Sequence, residues 1–372
     1  MKELRKRGID MEYRINQRTK DRISVIGIGS SYFSEMSEKE ARETLELACE
    51  KGVNYIDMAA ASVECFDYYG KELEKVRDQM LYQVHFGADY SSGKYGWTTR
   101  KEAVKRSVDW QLGKLRTDYI DYGFIHCLDA ESDWNAYREN GVLQYLLQMK
   151  EQGVVRHIGL SSHTPELVNL ALDEGLVDMV MFSINPAYDY KKGDYANGTP
   201  DERMELYRRC QRDGVGISVM KAFSGGQLLD EKTSPLGKAL TQYQCLQYAL
   251  DKPGVLTVIP GVRDRKDLEY LLGFLDAPEE ERDYSVIGSL TNESEGKCVY
   301  CNHCHPCPAG LDIALINKYY DLAKAGDAMA EGHYRKLEKN ASDCIQCGHC
   351  NRRCPFKVDQ MKRMKEIAEY FS

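Results

Sequence analysis

From Ser24 to about Gly273, short β-branched and apolar runs alternate with longer amphipathic segments. The short runs are Ser24-Val-Ile-Gly-Ile, Val53-Asn-Tyr-Ile-Asp, Met80-Leu-Tyr-Gln-Val-His, Tyr119-Ile-Asp-Tyr-Gly-Phe-Ile-His, Val155-Arg-His-Ile-Gly-Leu, Asp178-Met-Val-Met-Phe, Gly216-Ile-Ser-Val-Met and Val255-Leu-Thr-Val-Ile. The longer segments predict helices over Glu38–Lys51, near Tyr69–Val76, over Thr99–Gly113 and over Gly141–Gly153. Thr164-Pro-Glu starts another, with threonine as N-cap and proline in the first turn.

Eight such strand–helix units in roughly 250 residues are what a (β/α)8 TIM barrel requires. A doubly wound open sheet is the rival, but Gly27-Ile-Gly-Ser-Ser-Tyr lacks the third glycine of its phosphate-binding fingerprint. The fold class is therefore α/β. Polar stretches at Asp276–Arg282 and Thr291–Lys297 suit a linker leaving the barrel. They divide the chain into a barrel over 1–285 and a small, mainly helical, ferredoxin-like domain over 286–372. Helices are expected there at Asp312–Ala325, His333–Lys339 and Val358–Tyr370.

That second domain holds the strongest chemical signal. Its cysteines read Cys298-x2-Cys301-x2-Cys304-x2-Cys307-Pro308 and Cys344-x2-Cys347-x2-Cys350-x3-Cys354-Pro355. The second is the bacterial ferredoxin run, and the first is one residue shorter before its Cys-Pro. Three cysteines at this spacing wrap a loop around one face of a cubane, and the fourth reaches across to the other cluster. Cys298, Cys301, Cys304 and Cys354 are accordingly assigned to one [4Fe–4S] cluster, and Cys344, Cys347, Cys350 and Cys307 to a second. Structural zinc also accepts four thiolates, but its sites use two separated C-x2-C pairs. His303, His305 and His349 lie among the ligands and are expected to tune potential by hydrogen bonding.

Composition narrows the setting without changing the picture. The 372 residues are 42% hydrophobic and 29% charged, with a net charge of −8 and no basic stripe for nucleic acid. No run approaches the roughly 20 apolar residues of a membrane span, and no apolar segment of signal-peptide length follows the charged start. Cys49, Cys65, Cys127, Cys210 and Cys245 are scattered as buried small residues usually are. Thiols of both kinds point to a reducing, cytoplasmic setting.

Catalytic groups of such barrels stand at the C-terminal ends of strands. Those positions hold Asp57, His85 and His126 after strands two to four, Ser161, Ser162 and His163 after the fifth, Asn185 after the sixth and Lys221 after the seventh. Three ionisable groups on consecutive strand ends mark an active site.

Tyr55-Ile-Asp57-Met-Ala, Tyr119-Ile-Asp-Tyr-Gly-Phe-Ile-His126, Arg156-His-Ile-Gly-Leu-Ser161 and Val258-Ile-Pro260-Gly261 resemble the aldo-keto reductases over about residues 12–275. The appended cysteines resemble the iron–sulfur branch of that family. The resemblance implies NAD(P)H-dependent carbonyl reduction, with a tyrosine as proton donor, a lysine–aspartate pair lowering its pKa, and a histidine orienting the substrate. Asp57 and His126 match the aspartate and the histidine. Ser62 stands where the tyrosine is expected and His85 where the lysine is expected.

A serine hydroxyl is a far weaker acid than a phenol, whereas histidine titrates close to neutrality. His85 or His126 is therefore the expected general acid, with Asp57 holding one imidazole charged. Tyr68 or Tyr69 becomes a donor only if Ala61–Asp67 folds back. Candidate cofactor contacts are Gly29, Ser161, Ser162, Asn185, Lys221, Gly261 and Arg263. The Pro260–Arg263 segment offers backbone amides and a cation to phosphate. Met181 and Met220 occupy the positions of the family's nicotinamide-binding glutamine and stacking tyrosine.

The leading expectation is an oxidoreductase linking NAD(P)H, a small carbonyl or alcohol, two [4Fe–4S] clusters and an external electron carrier. The alternatives are a barrel in which the clusters deliver single electrons to a substrate or flavin, and a non-catalytic electron-transfer subunit.

Overall fold

The computed structural model describes residues 11–190, 195–284, 286–287, 296, 298, 304–324, 329–354 and 357–372. An antiparallel hairpin, β1 (Tyr13–Ile15) and β2 (Arg22–Ser24), precedes the barrel. Arg14 on that hairpin donates to the carbonyls of Leu250 and Val255, which ties it to the end of the barrel where the last strand begins.

The strands that follow are β3 (Ile28–Gly29), β4 (Tyr55–Asp57), β5 (Leu81–Phe86), a short pair β6 (Ala88–Asp89) and β7 (Gly96–Trp97), β8 (Ile120–Ile125), β9 (Val155–Ser162), β10 (Met179–Ser183), β11 (Gly216–Met220) and β12 (Val255–Val258). Eight of them form one parallel sheet in the order β12-β11-β10-β9-β8-β5-β4-β3. Parallel bridges Ile26↔Val258 and Gly29↔Gly261 join its two edges. Gly27 N–H donates to the Val258 carbonyl, and Val258 N–H to that of Val25, both at 2.9 Å. The sheet therefore curls back on itself, as the eight-unit pattern predicts.

Helix starts follow their capping signals. Ser37 and Glu40 form a capping box ahead of the Glu38–Glu50 helix, and Pro165 opens the Pro165–Asp173 helix. The helix expected near Tyr69–Val76 forms earlier, over Glu64–Glu72, because Phe66, Tyr69 and Gly70 bury one face of that segment. At Gly70 a side chain would collide with the Lys114 carbonyl, so the helix can approach its neighbour only there. The β1–β2 and β6–β7 hairpins and the Glu131–Glu139 helix carry too short a pattern to be read from sequence.

Tyr55, Tyr122, Phe124, Met179, Met181, Met220 and Ile259 pack together as a separate buried cluster. They alternate with residues of the outer core, so one face of each strand fills the barrel and the other meets the helices. C-terminal to the barrel stand helices Ile313–Lys324, Ala330–Arg335, His349–Arg353 and Gln360–Tyr370. Among the described residues no helix is long and apolar enough to cross a membrane.

Candidate active site and iron–sulfur module

Asp57 ends β4, His85 lies near the end of β5, and His126 follows β8, and the curl of the sheet brings them into contact. His85 Nε2 is 2.6 Å from Asp57 Oδ1, and His85 Nδ1 is 2.8 Å from His126 Nδ1. Gln83, two residues before His85 on the same face of β5, donates its amide to Asp57 Oδ1 at 2.8 Å. Its carbonyl accepts from Tyr55 Oη at 2.6 Å and Ser218 Oγ at 3.1 Å, which fixes the amide orientation. All of these side chains are buried. Burial first, then the charges of His85, His333, Lys336 and His163, push His126 well below the ordinary histidine range.

The second nitrogen of His126 is also taken. Its Nε2 lies 2.7 Å from Tyr95 Oη. Tyr95 comes from the β6–β7 excursion and is a functional candidate that the sequence motifs miss. Its backbone N–H donates to the Ala61 carbonyl at 3.0 Å, and Lys94 bridges antiparallel to Ser62. The segment carrying Tyr95 thus lies along the loop that carries Ser62, the position where the family's tyrosine is expected. Ser62 itself donates to Glu64 at 2.5 Å and joins no part of this chain of groups. Tyr68 donates to the Met36 carbonyl, while buried Tyr69 pairs with Ser30 Oγ at 2.8 Å, so neither reaches the histidines.

Beside Asp57 opens a cleft lined by Gly29, Tyr32, Lys221, Gly261, Arg263 and Asp267 among others. At Gly261 a Cβ would come within 2.7 Å of the Tyr32 ring, so the bare backbone lets that ring lie against the cleft wall. The Arg263 guanidinium lies 4.4 Å over the same ring. Two cations, Lys221 and Arg263, and two carboxylates, Asp57 and Asp267, thus share the groove. The backbone amide of Arg263 is engaged by Asp267 at 3.1 Å, and Asp264 caps the following helix, so these groups are used within the fold. Met181 and Met220 line the same cleft as apolar surface.

Three further candidates make hydrogen bonds within the fold. Asn185 caps the Pro186–Asp189 turn and donates to the Lys221 carbonyl at 2.9 Å. Ser162 Oγ accepts from Thr164 N–H at 3.0 Å and faces Asp129, while Ser161, at the end of β9, accepts the Leu128 N–H on its carbonyl. Asp129 accepts from the His163 amide at 2.6 Å and pairs with its Nδ1 at 2.8 Å. Burial raises the Asp129 pKa, but His163 and Lys318 outweigh it and hold the carboxyl far below the carboxylate range. This pair pins the ends of two barrel loops together.

In the C-terminal region, Cys307, Cys344, Cys347 and Cys350 line one cavity, with Leu311, Ile313, Met361 and Met364 around them. Four thiols on one apolar cavity suit a [4Fe–4S] cluster. Cys298 Sγ is approached by Gln360 Nε2 at 3.5 Å. Cys304 and Cys354 are described; Cys301 and His303 lie outside the described residues. His305 faces Asp312 at 3.5 Å, and His349 lines the four-cysteine cavity.

This module packs directly on the barrel. Lys336 Nζ meets Asp133 at 2.9 Å and lies 4.0 Å over the Trp97 ring. The His333 ring lies 6.0 Å from Tyr95, Lys318 sits 3.9 Å over Tyr195, and Met329 reaches the cleft.

Residues 25–244 match the Aldo/keto reductase family, and residues 297–359 match the 4Fe-4S dicluster domain. The chain belongs to the aldo/keto reductase family and is an oxidoreductase with an iron–sulfur domain at its C-terminus. It is 22% identical to the uncharacterized oxidoreductase YqkF of Bacillus subtilis, over 67% of this chain and 79% of that one. With an L-glyceraldehyde 3-phosphate reductase of Escherichia coli it shares 22% identity over 70% of this chain and 86% of that protein. Among solved structures, the holo form of aldo-keto reductase AKR11C1 from Bacillus halodurans superposes with a TM-score of 0.59 at 22% identity, covering 76% of this chain and 96% of that one. An aldo/keto reductase of Klebsiella pneumoniae in complex with NADP and acetate gives 0.54 at 18% identity, covering 72% and 92%.

Proposed function

We propose that this chain is an NAD(P)H-linked oxidoreductase that interconverts a small carbonyl compound and its alcohol at the barrel mouth. Electrons pass between that site and an external carrier through two [4Fe–4S] clusters. The barrel is assigned to residues 1–285 and the cluster domain to 286–372. The observation that carries the reading is the position of Asp57. It lines the cleft that holds Lys221 and Arg263 and also heads the buried chain of His85 and His126. A site that binds a phosphorylated nucleotide and a group able to move a proton thus meet at one side chain.

The nicotinamide, when bound, supplies or accepts the hydride. Lys221 and Arg263 would hold its phosphates, Met181 and Met220 would offer the nicotinamide end an apolar wall, and the buried histidines would handle the proton that accompanies the hydride. Cys298, Cys301, Cys304 and Cys354 hold one cluster, and Cys344, Cys347, Cys350 and Cys307 the other. The carbonyl takes both electrons of a hydride, so electrons carried by the clusters would enter or leave the nicotinamide between turnovers, one through each cluster.

The packing of the iron–sulfur module over the barrel mouth, with Met329 in the cleft and His333 beside Tyr95, favours one further reading. In it the clusters deliver single electrons to a substrate or flavin bound there. Anaerobic titration of the reconstituted protein with NADPH and with NADH separates the two. Saturable binding, seen as a change in nicotinamide fluorescence, is expected for at least one nucleotide. Binding of neither removes the nicotinamide-linked reading.

A further inference from the structure

Tyr95, His126, His85 and Asp57 form one unbroken line of contacts of 2.7, 2.8 and 2.6 Å. A neutral imidazole has one N–H and one lone pair, and an ionised carboxylate only accepts. With both histidines neutral, the line has a single solution. His85 donates from Nε2 to Asp57, so its Nδ1 accepts; His126 must then donate from Nδ1, so its Nε2 accepts from the Tyr95 hydroxyl. Every hydrogen bond points toward Asp57. Neither imidazole keeps a nitrogen for substrate, so the line ends in the Asp57 carboxylate at the cleft and in the phenol of Tyr95, and of these two ends only the phenol carries a proton to give.

Tyr95 is also held in place from both sides. Its backbone is fixed to Ala61, which lines the cleft. A Cβ on Gly332 of the Ala330–Arg335 helix would lie 3.6 Å from its ring. The iron–sulfur module therefore covers the outer face of the ring while the barrel loops hold its chain.

We propose that Tyr95 is the residue that exchanges the proton with substrate, and that His126, His85 and Asp57 store that proton. The assignment rests on the hydride reading above. In the oxidising direction the alcohol O–H bond breaks and its proton passes to the Tyr95 oxygen. Tyr95 gives its own proton to His126 Nε2, and His126 gives its Nδ1 proton to His85. The doubly protonated His85 is balanced by the Asp57 carboxylate. The carbon–hydrogen bond electrons leave as hydride to the oxidised nicotinamide, and the carbonyl double bond forms. Reduction runs the same transfers backwards from the loaded line.

The resting arrangement is therefore set to accept a proton. Reduction needs the loaded line and slows as pH rises; oxidation needs the empty line and quickens. The titratable groups around it are Asp57, His85, His126, Tyr95, His163, His333 and Lys336.

The test uses the full, anaerobically reconstituted chain with NADPH and 4-nitrobenzaldehyde, and with NADP+ and 4-nitrobenzyl alcohol. Tyr95→Phe is expected to lower both rates by about 100-fold or more, with NADPH affinity changed by less than about threefold and cluster absorption unchanged. The opposite pH slopes flatten in Tyr95→Phe and persist in His333→Gln. Independently of turnover, 15N spectra of histidine-labelled protein near pH 7, assigned with His85→Asn and His126→Asn, should show opposite neutral tautomers. His85 should carry its proton on Nε2 and His126 on Nδ1. Activity of Tyr95→Phe within about threefold of wild type overturns the proposal. So does one shared tautomer, or a doubly protonated imidazole at that pH. A wild-type chain that neither binds NADPH nor reduces the aldehyde defeats the hydride reading instead, and the tautomer pair then decides the proton line.

Discussion

Cys344, Cys347 and Cys350 reach one cavity from a single short stretch, with Cys307 joining them. Asp57, His85, His126 and Tyr95 reach one another across sequence separations of 28, 41 and 31 residues. The cysteine set is specified mainly by local spacing, because one short loop supplies three of the four thiols. The barrel set is specified by topology, because four strand ends and loops must arrive together before any pair exists. A local site tolerates change elsewhere in the fold, whereas a topological site can keep its chemistry while exchanging the strand that supplies a group. Here a phenol beside residue 62 comes from the neighbouring β6–β7 segment instead of from residue 62 itself.

The largest effects should come from the local site. If ligands cross between motifs, Cys307→Ser with Cys344→Ser removes one cluster only, and iron falls from about eight to about four atoms per chain. Cys307→Ser with Cys298→Ser then removes both. Iron analysis with UV-visible spectra checks this, and the reverse pattern would show that each motif holds its own cluster.

Next in size is the nucleotide groove. Arg263→Ala should weaken NADPH by about tenfold or more through loss of a charge-assisted contact to the 2′-phosphate. NADH should change much less, as read by fluorescence titration.

A smaller effect follows from the two buried, depressed histidines, His126 and His163. Below the ordinary histidine value of about 6.5 the unfolded chain takes up protons that the folded chain resists. Stability is therefore complete above that pH and declines on acidification. His163→Gln should reduce the slope of unfolding free energy against pH by up to about one proton, measured by anaerobic urea unfolding from pH 7.5 downward.

Smallest is the seam between the regions. Lys336→Ala removes a half-buried ion pair and a cation–ring contact and should cost about 1 kcal/mol. Hydrogen exchange should quicken at residues 95–97 and 330–335 with little change elsewhere.

Much of this was legible in the residues themselves. The eight apolar runs gave the strands to within a few residues, since parallel strands buried on both faces read as continuous apolar segments. The β11 strand, Gly216–Met220, matches its expected span at both ends. Strand-end logic brought forward Asp57, His85 and His126, and the cysteine spacing brought forward the four thiols that line one cavity. Tyr95 was not legible, because its place depends on Lys94 pairing with Ser62 and on His333 arriving from the C-terminal module. Ser162 and Asn185 sit at the expected strand ends, yet local capping and the Asp129 contact use their side chains. Position on a strand predicts which end of the barrel a residue occupies, not which neighbour claims its hydrogen bonds.

The most direct measurement follows a label. The reconstituted protein is incubated anaerobically with NADPH deuterated at the transferring position of its nicotinamide ring and with 4-nitrobenzaldehyde, and the alcohol is analysed by mass spectrometry. Hydride transfer in the barrel predicts one deuterium on the carbinol carbon of the product. An alcohol whose new carbon-bound hydrogen comes from solvent would contradict that account and assign the reduction to single electrons from the clusters.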